Sequence, residues 1–135
     1  MFVEFKRLAG SETPINRIVE WGCGGGANAL HFAGLAGQYV GVDISQESLR
    51  QCADTVHYIG IANFLPVGMD AADPESVIEV IPSPCELFLC TFVFELLPTP
   101  EYGKRILSIA RQLLGPDFPS QPVLAIGAIN TTLQT

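Results

Sequence analysis

An acidic residue leads into a nearly continuous glycine turn at Glu20-Trp21-Gly22-Cys23-Gly24-Gly25-Gly26, directly after the apolar pair Ile18-Val19. The chemistry such a turn offers is close approach. Side chains at a strand end hold a ligand away from the backbone, whereas glycine removes that bulk and permits positive φ. Ala27 to Ala33 has a helical composition, so the turn is expected to present free N–H groups and a helix N-terminus to a nucleotide cofactor. A second apolar run, Tyr39-Val40-Gly41-Val42, ends in Asp43, whose carboxylate can accept both hydroxyls of a ribose.

These residues need a sheet to hold them. Apolar runs alternate with amphipathic segments, the pattern of βαβ units, which implies an α/β fold: a three-layer αβα sandwich on a mainly parallel, Rossmann-like sheet of about five strands. Strands are predicted near 17–21, 39–43, 65–69, 86–92 and 123–129, and helices over about 27–36, 46–55, 74–81 and 100–114. Ser45, Asp73 and Thr99 are predicted helix caps, the last two ahead of proline. The last helix is the clearest. Tyr102, Ile106, Ile109, Ala110, Leu113 and Leu114 line one face, with Lys104, Arg105, Ser108, Arg111 and Gln112 opposite, and Gly115-Pro116 stops it.

At 135 residues the chain is expected to form a single domain, residues 1–135, with 1–16 as an N-terminal lead and 116–135 as a divergent tail. A formal charge of -7 and pI near 4.6 repel phosphate backbones, so nucleic acid is not the expected partner. Charges at Glu4, Lys6 and Arg7 interrupt any secretory segment, and the apolar run Leu87 to Phe94 is too short to span a bilayer. A cytoplasmic protein with no membrane partner is expected. Cys52, Cys85 and Cys90 read as reduced packing residues, and no cysteine or histidine spacing marks a metal site. A nucleophilic Cys23 would need a neighbouring base, which the sequence does not display. His31 and His57 receive no role.

Two cofactors could use the glycine turn. Gly22, Gly24 and Ala27 fit the dinucleotide pattern, with Asp43 in the ribose position, so an NAD-binding Rossmann domain is one reading. Glu20 opposes it, because a carboxylate beside a pyrophosphate is repelled. The same carboxylate is favourable beside the methionine ammonium of S-adenosylmethionine, directly or through water.

At these residues the chain resembles the class I S-adenosylmethionine-dependent methyltransferases, whose first motif is matched by Glu20, Gly22, Gly24 and Gly26, with Cys23 inside it. Val42-Asp43-Ile44-Ser45 is similar to the second motif, which implies that Asp43 holds the ribose and Ile44 packs on adenine. Gly68-Met69-Asp70-Ala71 is similar to the third, which implies that Asp70 receives the adenine amino group and Ala71 offers a backbone N–H. Glu86 to Leu97 resembles the fourth strand and the loop facing the transferred methyl, with Thr91 an implied cofactor contact. The resemblance covers about residues 17–114.

Transfer of methyl to an acceptor, expected to be a small molecule, requires mainly collinear positioning. Glu95 is the candidate base, with surface pairing as its alternative role, and Phe92, Phe94 and Tyr102 are candidates to wall the methyl pocket or fill core. The family sheet has seven strands, whereas this chain ends soon after its fifth, and Gly115 to Pro119 stands where the family has Pro-Gly-Gly. A truncated or divergent end is therefore expected, with a catalytically incomplete partner domain as the second functional reading. An apolar edge at Val123 to Ile129 is expected to self-associate or to take a partner chain.

Overall fold

The structure, a computed structural model, describes residues 15–90 and 99–114 and the backbone of 123–126. Five parallel strands form its centre: β1 (Ile15–Trp21), β2 (Ala36–Asp43), β3 (Phe64–Gly68), β4 (Leu87–Cys90) and β5 (Val123–Ile126), in the order β3-β2-β1-β4-β5. Strand order reverses between β1 and β4, which leaves the turn after β1 at the switch point where open α/β sheets bind ligands. Register pairs Glu20 with Gly41 on β2 and with Leu89 on β4.

Alternating side chains on the strands build two cores. Ile18, Tyr39, Leu87 and Leu89 face α1 (Ala29–Phe32) and α2 (Gln46–Tyr58), where they meet Phe32, Leu49, Cys52 and Val56. Val19, Trp21, Val40, Val42, Phe88 and Cys90 face α3 (Pro100–Leu114), meeting Ile106, Ile109, Ala110, Leu113 and Leu114. This is the layered α/β arrangement that alternation of apolar and amphipathic segments predicts. Each fully buried large aliphatic or aromatic side chain contributes about 1.5–3 kcal/mol relative to exposure, so the two clusters hold the sheet rigid beneath its carboxyl end.

Two predicted helices are shorter or tighter than expected. In place of a helix over 27–36 there is a single α turn, α1, then a 3-10 turn at Ala33–Leu35 that passes straight into β2. Gly37 suits this close approach of β2 to β1, because a Cβ there would lie 3.0 Å from the carbonyl oxygen of Asn16. In place of a helix over 74–81 there is a 3-10 helix at Pro74–Glu79. Its β-branched Val77 and Ile78, with Val80 just after it, lose side-chain freedom in an α-helix, and Val77 and Ile81 bury against α3's core instead.

Ser45 and Thr99 cap as predicted, accepting from the amides of Ser48 and Tyr102, each at 3.1 Å. Asp73 does not. Its side chain makes no cap bond, and its backbone pairs with Asp70 while its carbonyl accepts from the Ser76 hydroxyl at 2.8 Å. Among the described residues no helix is long and apolar enough to cross a membrane.

Candidate functional site at the carboxyl ends of three strands

Gly22, Gly24 and Gly26 have φ of 75°, 54° and 101°, so the alternation of glycines along the chain is an alternation of backbone conformation. Gly26 needs glycine twice over, since a Cβ would also meet Thr55 of α2 at 3.0 Å, and Thr55 donates its hydroxyl to the Gly25 carbonyl at 2.9 Å. Gly24 differs. A Cβ there meets nothing within 4 Å, so its outer side is open.

Four of the amides in this turn are engaged within the protein. Gly22 and Cys23 donate to the Val42 carbonyl at 2.7 and 3.1 Å, Gly24 donates to Asp43 Oδ2 at 2.9 Å, and Gly26 to the Cys23 carbonyl at 3.2 Å. The turn folds its donors back on β2 because a buried amide must be satisfied. No long helix follows it, α1 being four residues. What Gly22, Cys23, Gly24 and Gly26 offer a ligand is bare backbone, since their own donors are spent inside the protein.

Glu20 lies below the turn and is 2% exposed. The Tyr39 hydroxyl donates to its Oε1 at 2.6 Å and the Asn28 amide to its Oε2 at 2.8 Å. Burial raises its carboxyl to about 7, against the lowering effect of those two hydrogen bonds, and the charge of Asp43 adds to the rise. A carboxylate has about four acceptor positions, so acceptor capacity remains after both bonds. Tyr39 and Asn28 were not singled out in the sequence. The available signal was a phenol inside an otherwise apolar strand, two residues from the glycine that pairs with Glu20.

Asp43 ends β2 and joins two elements. Its Oδ2 holds the Gly24 amide and its Oδ1 the Ser45 amide, each at 2.9 Å, tying the glycine turn to the start of α2. Beside it Ile44 is a large apolar side chain 60% exposed. Past β3, Asp70 Oδ1 accepts the Ala72 amide at 2.9 Å, and the Ala71 carbonyl accepts the Tyr102 hydroxyl at 2.7 Å. Tyr102 therefore stands against the loop after β3. Thr91, Phe92, Phe94 and Glu95 lie outside the described residues.

Cys23 is buried and free, and interaction with the Cys52 thiol together with burial pushes it far above the ordinary thiol range. It is a packing group, not a nucleophile. Burial likewise raises Cys85 and Cys90 to about 12.

A glycine turn at the switch point, with carboxylates ending β1 and β2 and a third after β3, is the geometry to compare with known proteins. A family model described as a methyltransferase domain matches residues 18–117. The chain belongs to that methyltransferase-domain family. No curated protein sequence matches it significantly. Among solved structures, this methyltransferase domain is similar to a precorrin 8W decarboxylase from Methanobacterium thermoautotrophicum, 20% identical with TM-score 0.69, over 98% of this chain and 63% of that one. It is also similar to an rRNA methylase from Streptococcus thermophilus, 16% identical with TM-score 0.63, over 83% and 63% of the two chains. The N-methyltransferase NodS from Bradyrhizobium japonicum, in complex with S-adenosyl-L-homocysteine, is 16% identical with TM-score 0.63, over 84% and 55%. Identities this low establish a shared fold, and the chain spans less than two thirds of each relative's length.

Proposed function

We propose that this methyltransferase domain binds S-adenosylmethionine at the carboxyl ends of β1, β2 and β3, and that the protein transfers its methyl group to a small-molecule acceptor. The observation that carries the reading is the buried Glu20 carboxylate beneath a glycine turn whose Gly22, Cys23, Gly24 and Gly26 amides are already engaged. A pyrophosphate needs those amides and is repelled by that carboxylate, whereas an ammonium needs only the carboxylate. An NAD site is disfavoured on both grounds.

The residues present fit the cofactor piece by piece. Glu20 accepts from the ammonium, directly or through water, while Tyr39 and Asn28 keep its oxygens oriented. Gly22, Cys23, Gly24 and Gly26 allow backbone contact, with the open side of Gly24 as the approach. Asp43 accepts from the ribose hydroxyls using the lone pairs that Gly24 and Ser45 leave. Exposed Ile44 covers one face of adenine, Asp70 accepts from the adenine amino group, and Ala71 offers its amide. Thr91 is proposed as a further contact.

Bound there, the cofactor supplies an electrophilic methyl group for in-line displacement by the acceptor. The protein's task is alignment and exclusion of water. Where the acceptor must lose a proton, Glu95 is the proposed base. The chain's 14 acidic against 7 basic residues support a small acceptor over a nucleic acid.

Calorimetry with S-adenosylhomocysteine and with NADH tests the reading. Binding of the first and not the second is expected. Binding of NADH, or of neither, overturns it.

A further inference from the structure

The loop after β3 is held from outside by the first two turns of α3. The peptide joining Ala71 to Ala72 is gripped at both ends: its carbonyl accepts the Tyr102 hydroxyl at 2.7 Å, and its N–H donates to Asp70 Oδ1 at 2.9 Å. One peptide plane thus links a phenol on α3 to the carboxylate on the loop. Tyr102 is itself braced. The Arg105 guanidinium lies 5.4 Å from its ring centroid, and Arg105 in turn makes a paired contact with Glu75, Nε to Oε2 at 2.8 Å and Nη2 to Oε1 at 2.5 Å. Glu75 sits on the 3-10 helix that follows the loop, so the brace closes on the segment it positions.

Stability does not account for this arrangement. Arg105 and Glu75 are 42% and 41% exposed in their side chains, and exposed ion pairs contribute little. Tyr102 packs part of its ring against the core beneath α3, and its hydroxyl, spent on one carbonyl of a solvent-exposed loop, adds orientation of that loop to the packing. The Tyr102 phenol is a donor across the neutral range as any tyrosine is, and burial raises it further.

We infer that Tyr102, braced by Arg105 and Glu75, is a positioning residue for the adenine-reading loop, fixing Asp70 through the peptide between Ala71 and Ala72. The inference rests on the assignment of Asp70 to the adenine amino group made above. With Tyr102 in place, Asp70 is presented with one oxygen tied to Ala72 and the other directed to the ligand. Without it, the peptide can rotate and the carboxylate loses its fixed direction.

The test is discrimination between S-adenosylhomocysteine and S-inosylhomocysteine, which carries a carbonyl where adenine carries its amino group. In the full chain Asp70 should favour the adenosyl compound by roughly tenfold or more, the range of a charge-assisted hydrogen bond. Tyr102→Phe should reduce that ratio by about threefold or more through the adenosyl affinity alone. In an Asp70→Ala background the same change should leave the ratio where it is, since the two residues then have nothing to share. Amide exchange at Ala72 should also accelerate in Tyr102→Phe, with no ligand present. Arg105→Gln gives a second, milder probe of the brace and should move the ratio in the same direction. An unchanged ratio in both single variants, or an equal loss with and without Asp70, overturns the positioning role. Failure of the unaltered protein to bind S-adenosylhomocysteine instead removes the cofactor reading, and the inference with it. Tight binding without discrimination between the two ligands overturns the adenine assignment alone, again taking the inference down.

Discussion

Replacing Glu20 by Gln should change how the stability of this protein responds to pH. Burial holds the Glu20 carboxyl at about 7 in the folded chain, against 4.5 as its ordinary value. Below pH 4.5 both folded and unfolded states carry the proton, and the group is neutral in each. As pH rises the unfolded state ionises first, so the folded state binds more protons and stability falls through the window from 4.5 to about 7. At 1.36 kcal/mol per unit, a difference of about 2.5 units costs about 3 kcal/mol, fully expressed above pH 7. Gln cannot titrate. Its carbonyl can take the Tyr39 hydroxyl, and Asn28 can turn its amide to accept from the new NH2, which leaves an offset that does not vary with pH. Urea unfolding of both proteins from pH 4 to pH 8 measures the difference. The variant should gain about 3 kcal/mol relative to the unaltered protein across that range, and a difference that stays flat would refute the burial argument. The same carboxyl gives a ligand signature. An ammonium held by Glu20 favours its ionised form, so binding of S-adenosylhomocysteine at pH 7 should release about half a proton, and affinity should fall about tenfold per unit below pH 6. Calorimetry in buffers of different ionisation enthalpy reads the release directly, and Glu20→Gln should abolish it.

Asp43→Ala should weaken binding of S-adenosylhomocysteine by about 1.5–3 kcal/mol and also lower the melting temperature, because the Gly24 and Ser45 amides lose their acceptor; unchanged calorimetric affinity would sink the ribose assignment. Asp70→Asn should weaken binding less than Asp70→Ala, since the amide oxygen still accepts from an amino group; equal losses would give the carboxylate another task. Gly24→Val should abolish binding by entering the open side of the turn while lowering the melting temperature by only roughly 5–10 °C, from strain at positive φ; normal binding would make the turn merely structural. Among the described residues β5 has β4 as its one strand neighbour, so we expect self-association through this edge that Ile126→Lys breaks without loss of cofactor binding; light scattering from a stable monomer at high concentration would exclude it.

Strand positions were legible because each run, such as Ile18-Val19 or Leu87 to Cys90, is apolar on both faces, and parallel strands covered on two sides require that. Ser45 and Thr99 were legible as caps because capping is local. The Asp73 cap and the helix over 74–81 differ because competing local features, a turn pairing and β-branched side chains, outweigh the helix signals there, and the helix over 27–36 because the chain enters β2 early. Gly37 must pass close to Asn16, and Asp73 pairs with Asp70 across its turn. The hardest feature to read was where donors point. Spacing alone places Gly24 beside Asp43, but it does not say that the carboxylate already holds the glycine's amide, or that Tyr39 reaches Glu20 from the adjacent strand.

Those inward-pointing donors alter how selectivity at the site should be understood. A turn that must recruit its own amides to a ligand is selective for anions, and in this fold that means phosphate. Here the amides of Gly22, Cys23 and Gly24 are used up on Val42 and Asp43, so the charge that remains for a ligand is the negative charge of Glu20, Asp43 and Asp70. Of these, Asp43 lies close enough to Glu20 for its charge to raise the Glu20 carboxyl. Glu20 reaches neutrality by holding its proton near pH 7, and Asp43 is offset by two amides. A ligand with a cationic end and several hydroxyl or amino donors suits these carboxylates, and an anionic one does not. Cofactor choice then follows from the backbone hydrogen bonds of the turn as much as from the side chains around it.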